Sequence, residues 1–214
     1  MRDRLLKHYL PLLVTVLIVM LLFYINRGQR DFITFIAQST AYISLVILAV
    51  TLLVGPANLL LKKKNPVSAN FRRDIGITGG ILALIHSVTG LFVHLRGKMW
   101  LYFLNDNHQV RLDNFGLANY TGVIATLVIV LLLATSNDYF LRKLNPGKWK
   151  NIQRLSYPMI ILVAAHCYFY TIGRDNINIF FWFYIPLFAI ILVAQMTGVY
   201  LTISDRSTLT GKRP

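Results

Sequence analysis

Charge is scarce in this chain. Only 14% of its 214 residues are Asp, Glu, Lys or Arg, against about 25% in a soluble domain. The hydrophobic share is 56% and the mean hydropathy is +0.56, which excludes an ordinary water-soluble globule. Cysteine is nearly absent: Cys167 is the single one, so no intramolecular disulfide and no CxxC metal site can form. No zinc-finger spacing, glycine-rich nucleotide loop or serine-nucleophile motif occurs. The apolar runs hold no carboxylate and show no inverted repeat, which weakens a transporter reading. Once the spans are counted, almost nothing remains for a soluble catalytic or nucleotide-binding module.

What is present is a series of long apolar runs. They predict an all-α membrane protein, a bundle of six transmembrane helices at approximately 9–25, 33–61, 75–95, 115–136, 152–172 and 180–203, forming one domain over 1–214. The first run is too long for a signal peptide and has no cleavage site of small residues, so it reads as an anchor. The second exceeds the roughly 20 residues a bilayer needs. It either tilts, or ends at Gly55-Pro56 with the remainder along the interface. Pro158 and Pro186 stand near the starts of the fifth and sixth runs.

Basic residues outnumber acidic ones by 22 to 8, for a net charge of +14. They sit in short loops, a pattern of topology signals rather than of a nucleic-acid-binding face. Sixteen of the 22 fall at the N-terminus, in the second and fourth loops and at the C-terminus, so both termini are expected in the cytoplasm. The longest outer loop, Arg96 to Asn114, carries Trp100, Tyr102, Phe103 and His108. It is expected to lie across the outer mouth, where a partner protein would dock. Trp100, Trp149 and Trp182 read as anchors at the membrane interface.

Two histidines interrupt apolar runs, His86 in the third and His166 in the fifth. An ionisable ring at membrane depth needs a partner and marks a functional site. His86 lies 13 residues past Arg73, and His166 lies 12 past Arg154. At 1.5 Å per residue their depths agree to within roughly 2 Å, if the two arginines mark one boundary. Two imidazoles at one level suit a six-coordinate haem, one on each side of the iron. Gly79, Ala83, His86 and Gly90 share a helix face, where small residues would admit a flat porphyrin or else a neighbouring helix. Leu162, Val163 and Tyr170 flank His166. His8, His94 and His108 read as interfacial or exposed, and Cys167 as a small core residue.

Three stretches carry a family resemblance. They are Thr135-Ser136-Asn137 at a helix end, then Trp149-Lys-Asn-Ile-Gln153-Arg154-Leu-Ser-Tyr157 followed by His166, and Arg72-Arg73-Asp-Ile-Gly76 ahead of His86. Together they resemble the ferric-reductase-like transmembrane domain family, and in kind the MsrQ-type short membrane haem subunit of periplasmic methionine sulfoxide reductase. The resemblance covers about 72–173. It implies haem ligation by His86 and His166. It also exposes a departure, because Gln153 stands where the family has a further histidine, and an amide does not ordinarily ligate haem iron. One b-type haem is therefore expected, not two.

The expected function is a membrane electron-transfer subunit of an oxidoreductase, not self-sufficient as an enzyme. Electrons would enter from a cytoplasmic reductase, or from a quinol or flavin held on the inner side near Arg72, Arg73, Gln153 and Arg154. They would leave to an acceptor or partner protein on the outer face, with ferric ion or a periplasmic oxidoreductase implied by the resemblance. The membrane is a bacterial inner membrane by default, or a thylakoid or plastid membrane. The competing expectation is a haem-free scaffold or assembly protein that has kept the fold.

Overall fold

The computed structural model describes residues 4–27, 31–61, 69–95, 98–173 and 177–210. Many of the basic residues behind the orientation, at 2, 30, 62–64, 96, 174, 212 and 213, lie outside them, as do the side chains at 27 and 206. Among the described residues the regular elements are helices, apart from one isolated bridge between Leu104 and Val110. A chain this apolar must pair its backbone groups within each segment, and a helix does so.

Helix α1 begins as a π-helical turn, Leu5–Tyr9, and continues as Leu10–Arg27. It is followed by α2 (Phe32–Leu60), α3 (Ala69–Gly90) and α4 (Asn114–Thr135). Two short helices, α5 (Asp138–Lys143) and α6 (Pro146–Gln153), lead into α7 (Ser156–Ile172). The last, α8, starts at Ile177–Ile179, passes through a π-helical turn at Phe180–Tyr184 and runs on as Ile185–Thr210. Asp113, Asn137 and Asn145 cap α4, α5 and α6 by accepting backbone N–H bonds, as short polar side chains do at helix starts.

Among the described residues, five helical stretches are long and apolar enough to cross a membrane: Leu5–Asn26, Phe32–Leu60, Asn114–Thr135, Gly147–Ile172 and Ile177–Ser204. The His86 helix, α3, is not among them, because Arg72, Arg73, Asp74 and four glycines dilute its apolar residues. Its limits also differ from the expected 75–95. The helix starts at Ala69 and stops at Gly90.

The early start is possible because Asp74 is fully paired. Its carboxylate is buried at 0% exposure and accepts from Arg4 Nε (2.9 Å), His8 Nδ1 (2.6 Å) and Tyr9 Oη (2.8 Å), all from the start of α1. His8, about a quarter exposed, is thus tied into this network through Asp74. The early stop has a partner in the loop that follows α3. Tyr102 is buried, and its hydroxyl donates to Gly90 O while accepting from His94 N. This contact holds part of the loop against the C-terminal end of α3.

The main helix pairings are α2 with α3, α4 with α7, and α8 with α2, and α3 joins the first two pairs by packing on α4. The interior is built from small residues such as Ala37, Ser39, Thr40, Ala49, Ala118 and Ala125. Large apolar side chains face outward, among them Leu17, Leu127, Ile161 and Leu192. Close backbone approach is how membrane helices gain packing when surrounding lipid is as apolar as they are. Gly79 brings α3 close against α2: a Cβ there would lie 2.9 Å from Ile47 Cγ2.

Helix α2 does not end at Gly55-Pro56 but runs through it. Proline at 56 removes the N–H that would bond Leu52 O. Gln195 of α8 donates its Nε2 to that same oxygen at 2.6 Å. The freed carbonyl is thereby satisfied where water is scarce, and α8 is fixed to α2.

Candidate cofactor site and arginine-lined cavity

The two helix pairs bring His86 and His166 together. Their ring centroids are 6.2 Å apart and their planes are inclined by 69°. His86 Nδ1 lies 2.9 Å from Ala37 O of α2, and His166 Nδ1 lies 2.8 Å from Ala118 O of α4. A carbonyl can only accept, so each Nδ1 carries the proton and each Nε2 is left with its lone pair. Metal-ligating histidines are held in this manner, with one ring nitrogen tied to a backbone carbonyl and the other presented to the metal.

The separation suits one shared metal ion. With roughly 2 Å from the ion to each ring nitrogen, two opposed imidazoles stand about 6 Å apart, close to the observed spacing. Among the described residues no group of three His, Cys, Asp or Glu is placed to hold a metal ion. A bare ion would find two protein ligands only, whereas a porphyrin brings four nitrogens of its own. The donor set therefore fits haem.

The residues around the pair take distinct parts. Tyr170, one turn beyond His166, stacks on its ring at 5.9 Å. Gly122 of α4 lies against the same ring near Nδ1 and Cε1: a Cβ there would stand 2.8 Å from His166 Nδ1. Ala83 is buried with Ile129 and Met159, and Val163 packs on that cluster. Gly79 faces α2 and is filled by Ile47 and Leu48. Gly90 is open, with His86 Cε1 at 4.0 Å as the nearest neighbour of a Cβ. Cys167 is buried and free. His94 packs edge-on to Phe115, and His108 stacks on Trp100 in the loop between α3 and α4.

At the other end of the bundle, Arg72, Arg73, Gln153 and Arg154 line one cavity of about 690 Å³. Its walls also include Gly76, Gly80, Met159 and Gln195, so helices α2, α3, α4, α7 and α8 all contribute. Gln153 reaches the end of α4, where its Nε2 lies 3.4 Å from Thr135 Oγ1 and 3.3 Å from Ser136 Oγ. Trp149 Nε1 donates to Thr135 O at 3.1 Å. Thr135-Ser136 and the Trp149–Gln153 stretch are thus one structural unit, closing the C-terminal end of α4 over α6.

Residues 40–164 match the family described as ferric reductase like transmembrane component. The match takes in more than half of the chain. This chain belongs to the ferric-reductase-like transmembrane family. No curated protein matches it. The family match and the apolar helices make it an integral, multi-pass membrane protein, and family membership carries a role in membrane electron transfer. The matched stretch includes His86 and stops two residues before His166.

Sequence reasoning missed three participants. The carbonyls of Ala37 and Ala118 carry no side-chain signal. Gly122 had one: it stands four residues after Ala118, on the same face of α4. The Arg4–His8–Tyr9 grip on Asp74 was also missed, since those residues read as simple topology and interface signals.

Proposed function

We propose that this ferric-reductase-like protein is a single-haem membrane electron-transfer subunit, with six spans and both termini in the cytoplasm. The observation that carries the reading is the matched treatment of His86 and His166, each tied through Nδ1 to a carbonyl and close enough to share one ion. Haem b, when bound, supplies a one-electron iron couple. The protein's own work is to ligate, orient and shield it. Ala37 and Ala118 fix the two ring orientations, Tyr170 stacks on the His166 ring and Gly122 packs against its Nδ1 and Cε1, and the small-residue packing of α2 on α3 excludes water.

Under this reading α3 is the sixth span despite its diluted hydropathy, because Asp74 at its foot is neutralised by Arg4. Electrons enter from the inner face, from a cytoplasmic reductase or from a quinol or flavin at the cavity of Arg72, Arg73, Gln153 and Arg154. They leave to an acceptor at the outer face, where the Tyr102 loop sits. The variants His86→Ala and His166→Ala test the ligand pair. Each is expected to insert normally and to lose haem, and full haem retention by either would sink the assignment.

Gln153 favours a second reading, a haem-free scaffold that keeps the family fold. That reading expects colourless protein even after expression with haem supplied.

A further inference from the structure

His86 and His166 are tied to backbone carbonyls at closely similar distances, but not in one plane. His86 Nδ1 stands 2.9 Å from Ala37 O of α2 and His166 Nδ1 2.8 Å from Ala118 O of α4, and the two ring planes cross at 69°. An imidazole N–H points along the ring plane, so a straight bond keeps its carbonyl oxygen near that plane. Each carbonyl therefore fixes how its ring is turned. Ala37 and Ala118 belong to the helices that pack on α3 and α7 respectively, so the crossing of the rings is set by the pairing of α2 with α3 and of α4 with α7.

The His166 ring has two further restraints. Tyr170 lies nearly parallel to it, at 22°, and the α4 backbone at Gly122 leaves no room for a methyl group beside Nδ1 and Cε1. The orientation matters because an imidazole bound to iron mixes its π electrons with the iron dπ orbital that lies perpendicular to the ring. Two parallel rings act on one orbital and split the dπ pair, which stabilises the ferric state. Two crossed rings act on different members of the pair, leave them close in energy and forgo that stabilisation.

We infer that Ala37 and Ala118, with Gly122 and Tyr170 beside His166, are positioning residues that hold the two axial imidazoles crossed, and that the crossing makes the ferric haem strongly anisotropic magnetically and easier to reduce than a parallel pair would. The inference rests on the single-haem reading and adds what ligation alone leaves open, since two histidines bind haem whether their rings are parallel or crossed. Bonds from the protein to the axial ligands are one of its levers on a haem potential.

The test is low-temperature electron paramagnetic resonance of the oxidised full-length protein in detergent, beside a redox titration of its haem absorbance. The unaltered protein is expected to give a low-spin signal dominated by a single low-field feature, the mark of a nearly degenerate dπ pair. Gly122→Ala, measured with haem at saturation, releases the His166 ring from Ala118 and lets planes nearer parallel become populated. A rhombic component should then appear and the midpoint potential should fall with it. Should Gly122→Ala fail to fold, Tyr170→Leu, which removes the stacked face, is expected to move both in the same directions. Ile161→Ala, on the exposed face of α7, should move neither. Loosened packing alone would shift the potential without a rhombic signal, so the joint movement marks positioning. A rhombic signal from the unaltered protein, or an unchanged signal from the folded variant at full occupancy, would overturn the inference and leave the ligand pair standing. A colourless protein would overturn the haem reading and this inference with it.

Discussion

Replacing Gly122 by alanine probes the His166 position at a single atom. The added methyl carbon would stand 2.8 Å from His166 Nδ1 and 3.1 Å from Cε1, where about 3.5 Å is the ordinary contact distance. The ring must retreat by roughly 0.7 Å, and the retreat strains the 2.8 Å bond from Nδ1 to Ala118 O, one turn back on the same helix. Moving that bond past about 3.2 Å forfeits most of it, a net loss of about 1 kcal/mol. Loss of a metal ligand's supporting bond typically lowers affinity by about 10–100-fold. The assay is titration of haem into apo-protein, followed by the Soret absorbance and by the low-spin character of the bound form. Gly90→Ala is the control, because its new carbon meets only His86 Cε1 at 4.0 Å and should leave affinity unchanged. If Gly122→Ala bound haem with unaltered affinity and spectrum, the placement of His166 against α4 would be refuted.

Asp74→Asn should destabilise the α1–α3 contact by about 2 kcal/mol, less than the 3–5 of a fully buried pair because Arg4 and His8 remain about a quarter exposed; thermal unfolding in detergent reads it. Gly79→Leu should cost about 1–3 kcal/mol by overpacking the α2–α3 contact, seen as a lower midpoint in the same unfolding assay. For the orientation, a fluorescent protein fused to the C-terminus should fluoresce, as it does when folded in the cytoplasm, and a dark fusion with an active periplasmic reporter at the same site would reverse the topology.

The helical class and the positions of most spans were legible because apolar run length is a direct requirement of the bilayer. The limits of α3 were not, because they depend on distant partners. Arg72, Arg73 and Asp74 read as a loop until Asp74 is seen buried against Arg4, His8 and Tyr9. Gly90 ends the helix under the hydroxyl of Tyr102, twelve residues away. Proline 56 reads as a break until Gln195 supplies the missing bond to Leu52 O. At the candidate site, the matched spacing of His86 from Arg73 and of His166 from Arg154 pointed to a shared depth. The atoms that orient the rings are backbone carbonyls, and composition and periodicity do not reveal them. Gly79 illustrates the opposite limit: a small residue on the His86 face is compatible with a porphyrin or a helix, and only packing shows that Ile47 and Leu48 fill it.

The most direct test of the account is the reduced-minus-oxidised absorption spectrum of detergent-purified protein, with haem counted per chain as the pyridine haemochrome. The account predicts one six-coordinate, low-spin b-type haem per chain, absent from His86→Ala and His166→Ala. A colourless protein after expression with haem supplied, or two haems per chain, would contradict it.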